Sequence, residues 1–434
     1  MPPTFEPSSV NCCPTLRRRP RVLGAALLAL VCVASPALAQ DGDDRDARLS
    51  EYLRSHGLDD LRSAHLLDRL QATTGAKRTQ AAEELGRVYV SMLSRAADPL
   101  RRRELERQSR ELLESVPEAE SFALRLDLFK ASFLQAETLA ERDRLRMASA
   151  DERAEAQRIL RDVAPKFLVI AQRLNSRVDA LEKREATDRG FDEAMREQLA
   201  EARRLRSLAR YYAGWSSYYT ALVTGDSLPA REALAHFGSI LGAAPGKPAD
   251  VDKVGKSMLR FEHVARSALG AAMCESLLKQ PGEALRWLTL VENADDVPRS
   301  VRDQLFSRTL GVLAENRRFS EMGNELDFAA RASAERASFE LSLTDARLLA
   351  VACMEAQTAP DALKGNEAEA VRRVIKLAMA RLVELGELGH VLDLVNRYGS
   401  APIGDDGFVL RYIRGVQVYD KAPAAHAATL KPRE

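Results

Sequence analysis

The chain has 434 residues, of which 29% are charged and 46% are hydrophobic, the balance of an ordinary globular protein. This length exceeds what one compact core usually supports, so several domains or an extended repeat array are expected. The formal net charge is only +1, which argues against a nucleic-acid-binding protein. Aromatic residues make up 6%, which indicates helices with thin interfaces between them.

The N-terminus has the features of a secretory signal peptide. Four arginines precede an apolar run over residues 22–34, and the small residues of "SPALA" end at Ala39. A basic region, an apolar stretch and an A-x-A site predict that residues 1–39 are a cleaved signal peptide. We therefore expect export, to the periplasm or cell envelope of a bacterium. The apolar run is short for a span of about 20 residues; an uncleaved membrane anchor is the alternative.

Cleavage after Ala39 changes the charge of the protein. The removed segment carries four arginines and Glu6, so the remaining chain has a formal net charge of −2. A nearly neutral chain has no electrostatic footprint for nucleic acid or for an acidic membrane surface. We expect no nucleic-acid partner and no stable membrane span after cleavage.

Two of the five cysteines, Cys274 and Cys353, lie beyond the predicted cleavage site. Both fall within apolar helical patterns, and two cysteines do not make a disulfide framework in a chain this long. Each is therefore predicted to be a small buried hydrophobic residue. A single disulfide between them is the alternative.

Helical periodicity continues almost without interruption along the exported chain, and Gly, Pro, Asp and Asn mark its breaks. The breaks are short, which predicts antiparallel neighbouring helices. The predicted regions are N-terminal helical repeats over 40–117, a long-helix region over 118–223, further helical repeats over 224–420 and a flexible tail over 421–434.

The long-helix region is predicted to contain a helical hairpin. Apolar residues step by three and four from Phe167 to Leu181, and a similar stripe resumes at Phe191, just after Gly190. Gly190 suits the left-handed end of a helix. The far end, residues 181–197, is highly charged and should be solvated. The hairpin either projects as a coiled-coil-like arm or contributes two over-long helices to the stack.

The stretch "RYYAGWSSYY", residues 210–219, holds five of the eleven Trp and Tyr residues. At about 100° per residue, these five fall within an arc of about 120° of a helix. Leucines continue the arc at both ends, which predicts an ordinary buried stripe. The alternative is a partner-binding surface, for which Tyr211, Trp215 and Tyr218 are the candidates.

Three segments, "LGRVY" at 85–89, "EALAHFGSILGAAP" at 232–245 and residues 268–290, place small and large residues at the spacings of a known helical repeat, and Gly214 lies opposite the aromatic arc. We expect them to pack neighbouring helices, because a Gly or Ala lets two helices approach and a larger side chain fills the next gap. These residues are Leu85, Gly86, Tyr89, Gly214, Ala233, Phe237, Pro245, Gly270, Ala284 and Leu288.

The pattern resembles the tetratricopeptide repeat (TPR) family, in which W-x2-L-G-x2-Y on one helix is followed by A-x3-F and a proline on the next. The resemblance implies an all-α fold, an irregular TPR-like α-solenoid of antiparallel helix pairs with a long hairpin in the middle. No segment combines the initial Trp with the rest of the pattern. Between Gly86 and Pro117, and between Gly214 and Pro245, the spacing is about seven residues longer than the family's. Irregular helical hairpins are the alternative.

The sequence contains no recognisable catalytic, cofactor-binding or metal-binding motif. The six histidines are scattered and none forms H-x-x-x-H or H-E-x-x-H. Neither a G-x-S-x-G motif nor a phosphate-binding Gly-rich loop occurs. The sequence therefore predicts no enzyme and no cofactor.

The TPR resemblance implies protein or peptide binding. The leading hypothesis is an exported non-catalytic scaffold that mediates protein–protein interactions in the cell envelope. Two alternatives are a structural subunit of an envelope assembly that docks through the hairpin, and a helical accessory of a cell-wall-acting enzyme.

Overall fold

The computed structural model describes residues 45, 48–96, 98–187, 190–334, 341–358, 363–398 and 415. The fold is all-α, which confirms that prediction, and these ranges contain no strand. The predicted signal peptide and flexible tail lie outside them. By its internal contacts the chain divides into two compact units, residues 1–65 and 66–434. The boundaries predicted after residues 117 and 223 both fall within the second unit.

In the first unit the structure describes residue 45 and residues 48–65. Residues 48–55 are helical, and Gly57 follows with a left-handed φ of 66°. A glycine adopts this conformation without the steric cost that a side chain brings. Arg62 Nε donates to Ser50 Oγ at 3.2 Å. Helix α1, Asp59–Ala72, begins in this unit and ends in the second.

The second unit continues as a succession of helices, with two short 3-10 turns between α7 and α8. The helices are α2 (Gly75–Arg95), α3 (Pro99–Ser115), α4 (Phe122–Arg144), α5 (Ala150–Thr187), α6 (Glu193–Thr224), α7 (Ser227–Ile240), α8 (Glu262–Leu277), α9 (Pro281–Glu292), α10 (Arg299–Arg302), α11 (Leu305–Glu315), α12 (Phe319–Ala334), α13 (Leu343–Thr358), α14 (Gly365–Glu384) and α15 (Leu388–Tyr398).

Side-chain caps fix where several helices begin. Asp98 accepts hydrogen bonds from two backbone N–H groups of the first turn of α3. Asp192 does the same once for α6, and Asp226 once for α7. A cap of this kind contributes about 1 kcal/mol. At its other end α6 is closed by Gly225, whose φ of 76° is left-handed.

Three helices end at a left-handed residue that is not glycine. Arg146 follows α4, Lys279 follows α8 and Arg317 follows α11, with φ of 55°, 61° and 55°. Each end is closed by a pair of backbone hydrogen bonds, the Schellman arrangement. A side chain in the left-handed region costs about 1–2 kcal/mol, so glycine is the usual residue there.

Buried apolar side chains form three clusters in the second unit. One joins α1 to α4, the largest extends from α4 to α11, and the third extends from α11 to α15. Helix α6 lies at the centre of the largest cluster and contacts α4, α5, α7 and α8. The core is therefore thickest around α6.

Contacts between α5 and α6 occur in reverse order along the two helices. Near the end of α5, Glu182 Oε1 accepts from Arg203 Nη2 at 2.9 Å, in the first half of α6. Near the start of α5, Arg153 Nη2 donates to the Val223 carbonyl at 2.6 Å, at the end of α6. The predicted apolar stripe on α5, from Phe167 to Leu181, is buried.

Among the described helices none combines the length and the apolar character that crossing a membrane requires.

Candidate functional site

Three of the predicted packing residues meet in the core at one aromatic ring. Phe237 on α7 is fully buried. A Cβ placed on Gly214 of α6 would lie 2.6 Å from Phe237 Cε1, and one placed on Gly270 of α8 would lie 2.5 Å from Phe237 Cε2. Neither glycine could carry a side chain unless the ring moved. Because both positions are glycine, they leave the space that the ring of Phe237 fills.

The other predicted packing residues are placed as follows. Leu85, Gly86, Tyr89, Ala233, Ala284 and Leu288 are buried, and Pro245 is exposed in the loop after α7. Gly86 permits a second close approach, because a Cβ there would lie 2.8 Å from Ser121 Oγ.

The aromatic stretch forms part of the core. Tyr218 is fully buried and Trp215 is 5% exposed. The opposite side of the helix, which includes Gly214 and Ser216, is buried as well. Helix α6 is thus enclosed on all sides here. Of the three candidate partner-binding residues, only the partly buried Tyr211 keeps an accessible edge.

A buried polar contact links this stretch to α4. The Tyr219 hydroxyl donates to Glu137 Oε1 at 2.9 Å and lies 3.1 Å from Glu141 Oε1. A phenol has one proton, so a second hydrogen bond requires a protonated carboxyl. Burial raises the pKa of Glu137, which favours that protonated form. The contact satisfies partly buried polar groups beside the core.

An open groove lies between α2 and the first half of α6. Its volume is about 400 Å³, within the range of ligand and peptide pockets. The buried side chains of Leu124, Leu174, Ala202 and Leu205 form an apolar floor. The wall contributed by α6 follows one face of that helix and includes the exposed Gln198.

Charged side chains form the rim of the groove. The rim contains four carboxylates and two guanidinium groups, a formal net charge of −2, from Glu83, Glu120, Glu197, Glu201, Arg87 and Arg177. Two carboxylates on the rim are already paired. Arg177 Nη1 lies 3.3 Å from Glu120 Oε2, and Arg204, outside the lining, donates two hydrogen bonds of 2.7 Å to Glu201. Glu197 and Arg87 have no ion-pair partner among the described residues. The rim is therefore acidic overall.

A buried hydroxyl lies at the bottom of the groove. Ser121 is 9% exposed, and its Oγ has no hydrogen-bond partner among the described residues. A buried polar atom without a partner costs about 1–3 kcal/mol. Ser121 lines the groove, but its Oγ has almost no solvent-accessible surface, so this hydroxyl belongs to the packing of the wall.

Sequence reasoning did not single out this groove. It assigned Glu197 to a solvated hairpin end, and it named neither Gln198 nor Ser121. The sequence signal for an open face was weak: it consists of the small residues Ala194 and Ala202 on the charged half of α6. Which face of that half borders α2 depends on tertiary packing, which the periodicity of one helix does not encode.

Other reactive groups offer little chemistry. In the described part of the chain, no group of three His, Cys, Asp or Glu side chains is arranged to hold a metal ion. Cys274 and Cys353 are both buried and free. Burial raises the pKa of both thiols, so little of the nucleophilic thiolate forms at neutral pH.

Comparison of the chain with protein-family models, with curated proteins and with solved structures found no match. Function is therefore inferred from the chain's own residues.

Proposed function

We propose that this chain is an exported, non-catalytic scaffold that binds protein or peptide partners. Its helices would form an irregular TPR-like α-solenoid of antiparallel pairs. The reversed order of contacts along α5 and α6 supports antiparallel pairing there. The ring of Phe237 between Gly214 and Gly270 is the kind of close helix packing that the TPR pattern implies.

The groove between α2 and α6 is the observation that carries the proposal. Its apolar floor provides a place to bury one apolar side chain, the usual source of binding energy at an interface. Its acidic rim favours positive charge on either side of that residue. The partner is therefore an exposed segment in which an apolar residue is flanked by Lys or Arg.

A second proposal uses the end of the hairpin in place of the groove. Residues 183–187 and 192–194 are exposed and mostly polar or charged. A structural subunit could dock through this end by charge complementarity with an assembly. The two proposed surfaces share only Ala194 and carry different charged residues, so substitutions of those residues separate them.

A peptide-display selection on the purified chain tests the first proposal. We expect enriched peptides to carry an apolar residue with Lys or Arg neighbours. The double variant Glu197→Lys/Glu201→Lys reverses two rim charges and should weaken binding at least tenfold. The matched control, Glu185→Lys/Glu193→Lys, makes the same charge change at the hairpin end and should bind as the wild type does.

Two results would count against the groove. If the control loses binding and the rim variant keeps it, docking is through the hairpin end. If both variants bind equally to every enriched peptide, neither surface is the site.

Export is tested separately by sequencing the N-terminus of the full chain after expression in a bacterium. We expect a protein that begins at Gln40 in the periplasmic fraction. An intact N-terminus in the cytoplasmic fraction would contradict export.

A further inference from the structure

A second cavity, of about 380 Å³, lies where the ends of four helices meet. It is lined by the last residues of α4 and α11, by Gly225 after α6 and Lys279 after α8, and by one face of α13. Its cations are Arg144, Arg146, Arg153, Lys279 and Arg317, and its carboxylates are Asp143, Glu315 and Glu355. The lining therefore has a formal net charge of +2.

Two of these cations are engaged by the walls. Arg146 Nε donates to Glu355 Oε1 at 2.7 Å. Arg153 Nη2 donates to the Val223 carbonyl at 2.6 Å, and its Nε lies 3.5 Å from Asp143 Oδ2. These contacts neutralise two carboxylates and the negative end of α6. The C-terminal ends of α4, α8 and α11 also meet here, each equivalent to about −0.5 of a charge, and they offset part of the remaining positive charge.

The other three cations keep unused donors. Within the described residues, no hydrogen bond or ion pair engages the Arg317 guanidinium, and Arg144 makes one hydrogen bond, to Glu141 at a long 3.4 Å. Lys279 Nζ donates to the Glu315 carbonyl at 3.1 Å, which leaves two of its three protons. The Glu315 carboxyl also lines the cavity, and burial raises its pKa.

The backbone conformation indicates that cationic side chains are required at particular positions around the cavity. Arg146, Lys279 and Arg317, the three left-handed non-glycine residues in the described chain, all line this one cavity. The negative charge of a helix C-terminus can be offset by a cation within the last turn, which keeps ordinary helical geometry. It therefore does not require a cation at a left-handed position. Gly311 adds a further sign, because a Cβ there would lie 3.0 Å from Arg144 Nη2. That glycine makes room for the guanidinium.

We propose that this cavity binds the phosphate group of a small soluble molecule, held by Arg144, Lys279 and Arg317. These residues come from three helix ends, and the several oxygens of a tetrahedral phosphate can face all three. A carboxylate offers two oxygens and one charge, which suit a single guanidinium. The cavity is large enough for a phosphate and a short organic group. This inference stands apart from the scaffold proposal, because the cavity and the groove share no residue.

Isothermal titration calorimetry on the full chain, at constant ionic strength set with chloride, tests the site. Inorganic phosphate, glycerol 3-phosphate and acetate are the three probes. We expect saturable binding of one equivalent of a phosphate compound and at least tenfold weaker binding of acetate. Tighter binding of glycerol 3-phosphate identifies a phosphate ester as the ligand class, and tighter binding of inorganic phosphate identifies the free ion.

Arg317→Gln should weaken phosphate binding at least tenfold, since it removes a guanidinium with no other partner. Arg318→Gln is the matched control, because Arg318 is the next residue and pairs with Glu321; it should bind as the wild type does. Arg144→Gln should also lose phosphate binding. Arg317 is exposed in a turn, so Arg317→Gln remains informative if Arg144→Gln does not fold. Absence of saturable phosphate binding, equal binding of acetate, or equal effects of the Arg317 and Arg318 variants would overturn the proposal.

Discussion

The two halves of helix α6 have opposite surroundings. In the first half, residues 193–205, only Leu199, Ala202 and Leu205 are buried, and the exposed face borders the groove. In the second half ten of the fifteen residues from Ala209 to Val223 are buried and none is exposed, and the buried ones lie on both the aromatic and the small-residue faces. One continuous helix therefore passes from a half-exposed wall into the centre of the core.

This difference shows that residue type alone does not tell a buried face from an exposed one. The aromatic half has the composition expected of an interface, yet it is enclosed by α4, α5, α7 and α8. The charged half looks like an ordinary solvated face, yet it borders a groove with an apolar floor. Substitutions in the two halves should have opposite effects on stability and on binding.

The largest expected effect is in the aromatic half. Trp215→Ala removes a buried indole and should lower the free energy of unfolding by about 3–5 kcal/mol, measured by chemical denaturation. Gln198→Ala, on the exposed face of the same helix, is the control and should change it by less than about 0.5 kcal/mol. If both variants lost a similar amount of unfolding free energy, the two halves of α6 would not differ in their contribution to stability.

The packing around Phe237 gives the next largest effect. Gly270→Ala places a methyl group against the ring and should cost about 1–3 kcal/mol by overpacking. Gly282→Ala is the control, because a Cβ there meets nothing within 4 Å; it should be neutral or slightly stabilising. Equal unfolding free energies for the two variants would mean that the ring does not depend on the glycine.

A pH-dependent effect is expected at Glu137, which lies beneath the aromatic half. Burial raises its pKa above the ordinary value of 4.5, so the folded state binds more protons than the unfolded state. Its contribution to stability is therefore full below pH 4.5 and is lost as pH rises through the folded pKa. The unfolding free energy of the wild type, relative to Glu137→Gln, should fall between about pH 4.5 and neutrality. If the unfolding free energy of the wild type rose relative to that of Glu137→Gln over this pH range, burial of Glu137 could not be the cause.

The smallest effect on stability is expected in the groove half. Glu197→Lys/Glu201→Lys alters two exposed residues and should change the unfolding free energy by less than about 0.5 kcal/mol. The same variant should lose peptide binding, as measured in the selection above. A large loss of stability would show that this half also supports the core.

Much of the fold is encoded locally. Helices α3 and α9 begin at Pro99 and Pro281, and α6 ends at Gly225, where proline and glycine mark breaks in the sequence. The breaks after α4 and α11 carry no such mark, because Arg146 and Arg317 take the left-handed position. The region over 118–223 accordingly holds three helices, although the sequence pattern drew attention to only two of them.

The packing residues could be proposed from sequence because size and spacing are local properties. Phe237 and Gly270 are proposed from the resemblance to the TPR pattern and Gly214 from its place opposite the aromatic arc, and the structure brings both glycines against the ring of Phe237. The groove could not be proposed in this way. Its lining comes from α2, α4, α5 and α6, and which of their faces stay open is decided only when the helices meet.

The ring between two glycines also has a mechanical consequence. If α7 moved along its axis by one turn, about 5.4 Å, the ring of Phe237 would face ordinary side chains on α6 and α8 in place of Gly214 and Gly270. The three helices therefore resist sliding and keep a single register. We expect this part of the chain to behave as a stiff block, so that any adjustment of groove width comes from bending of the long helices α5 and α6 and not from slippage in the core.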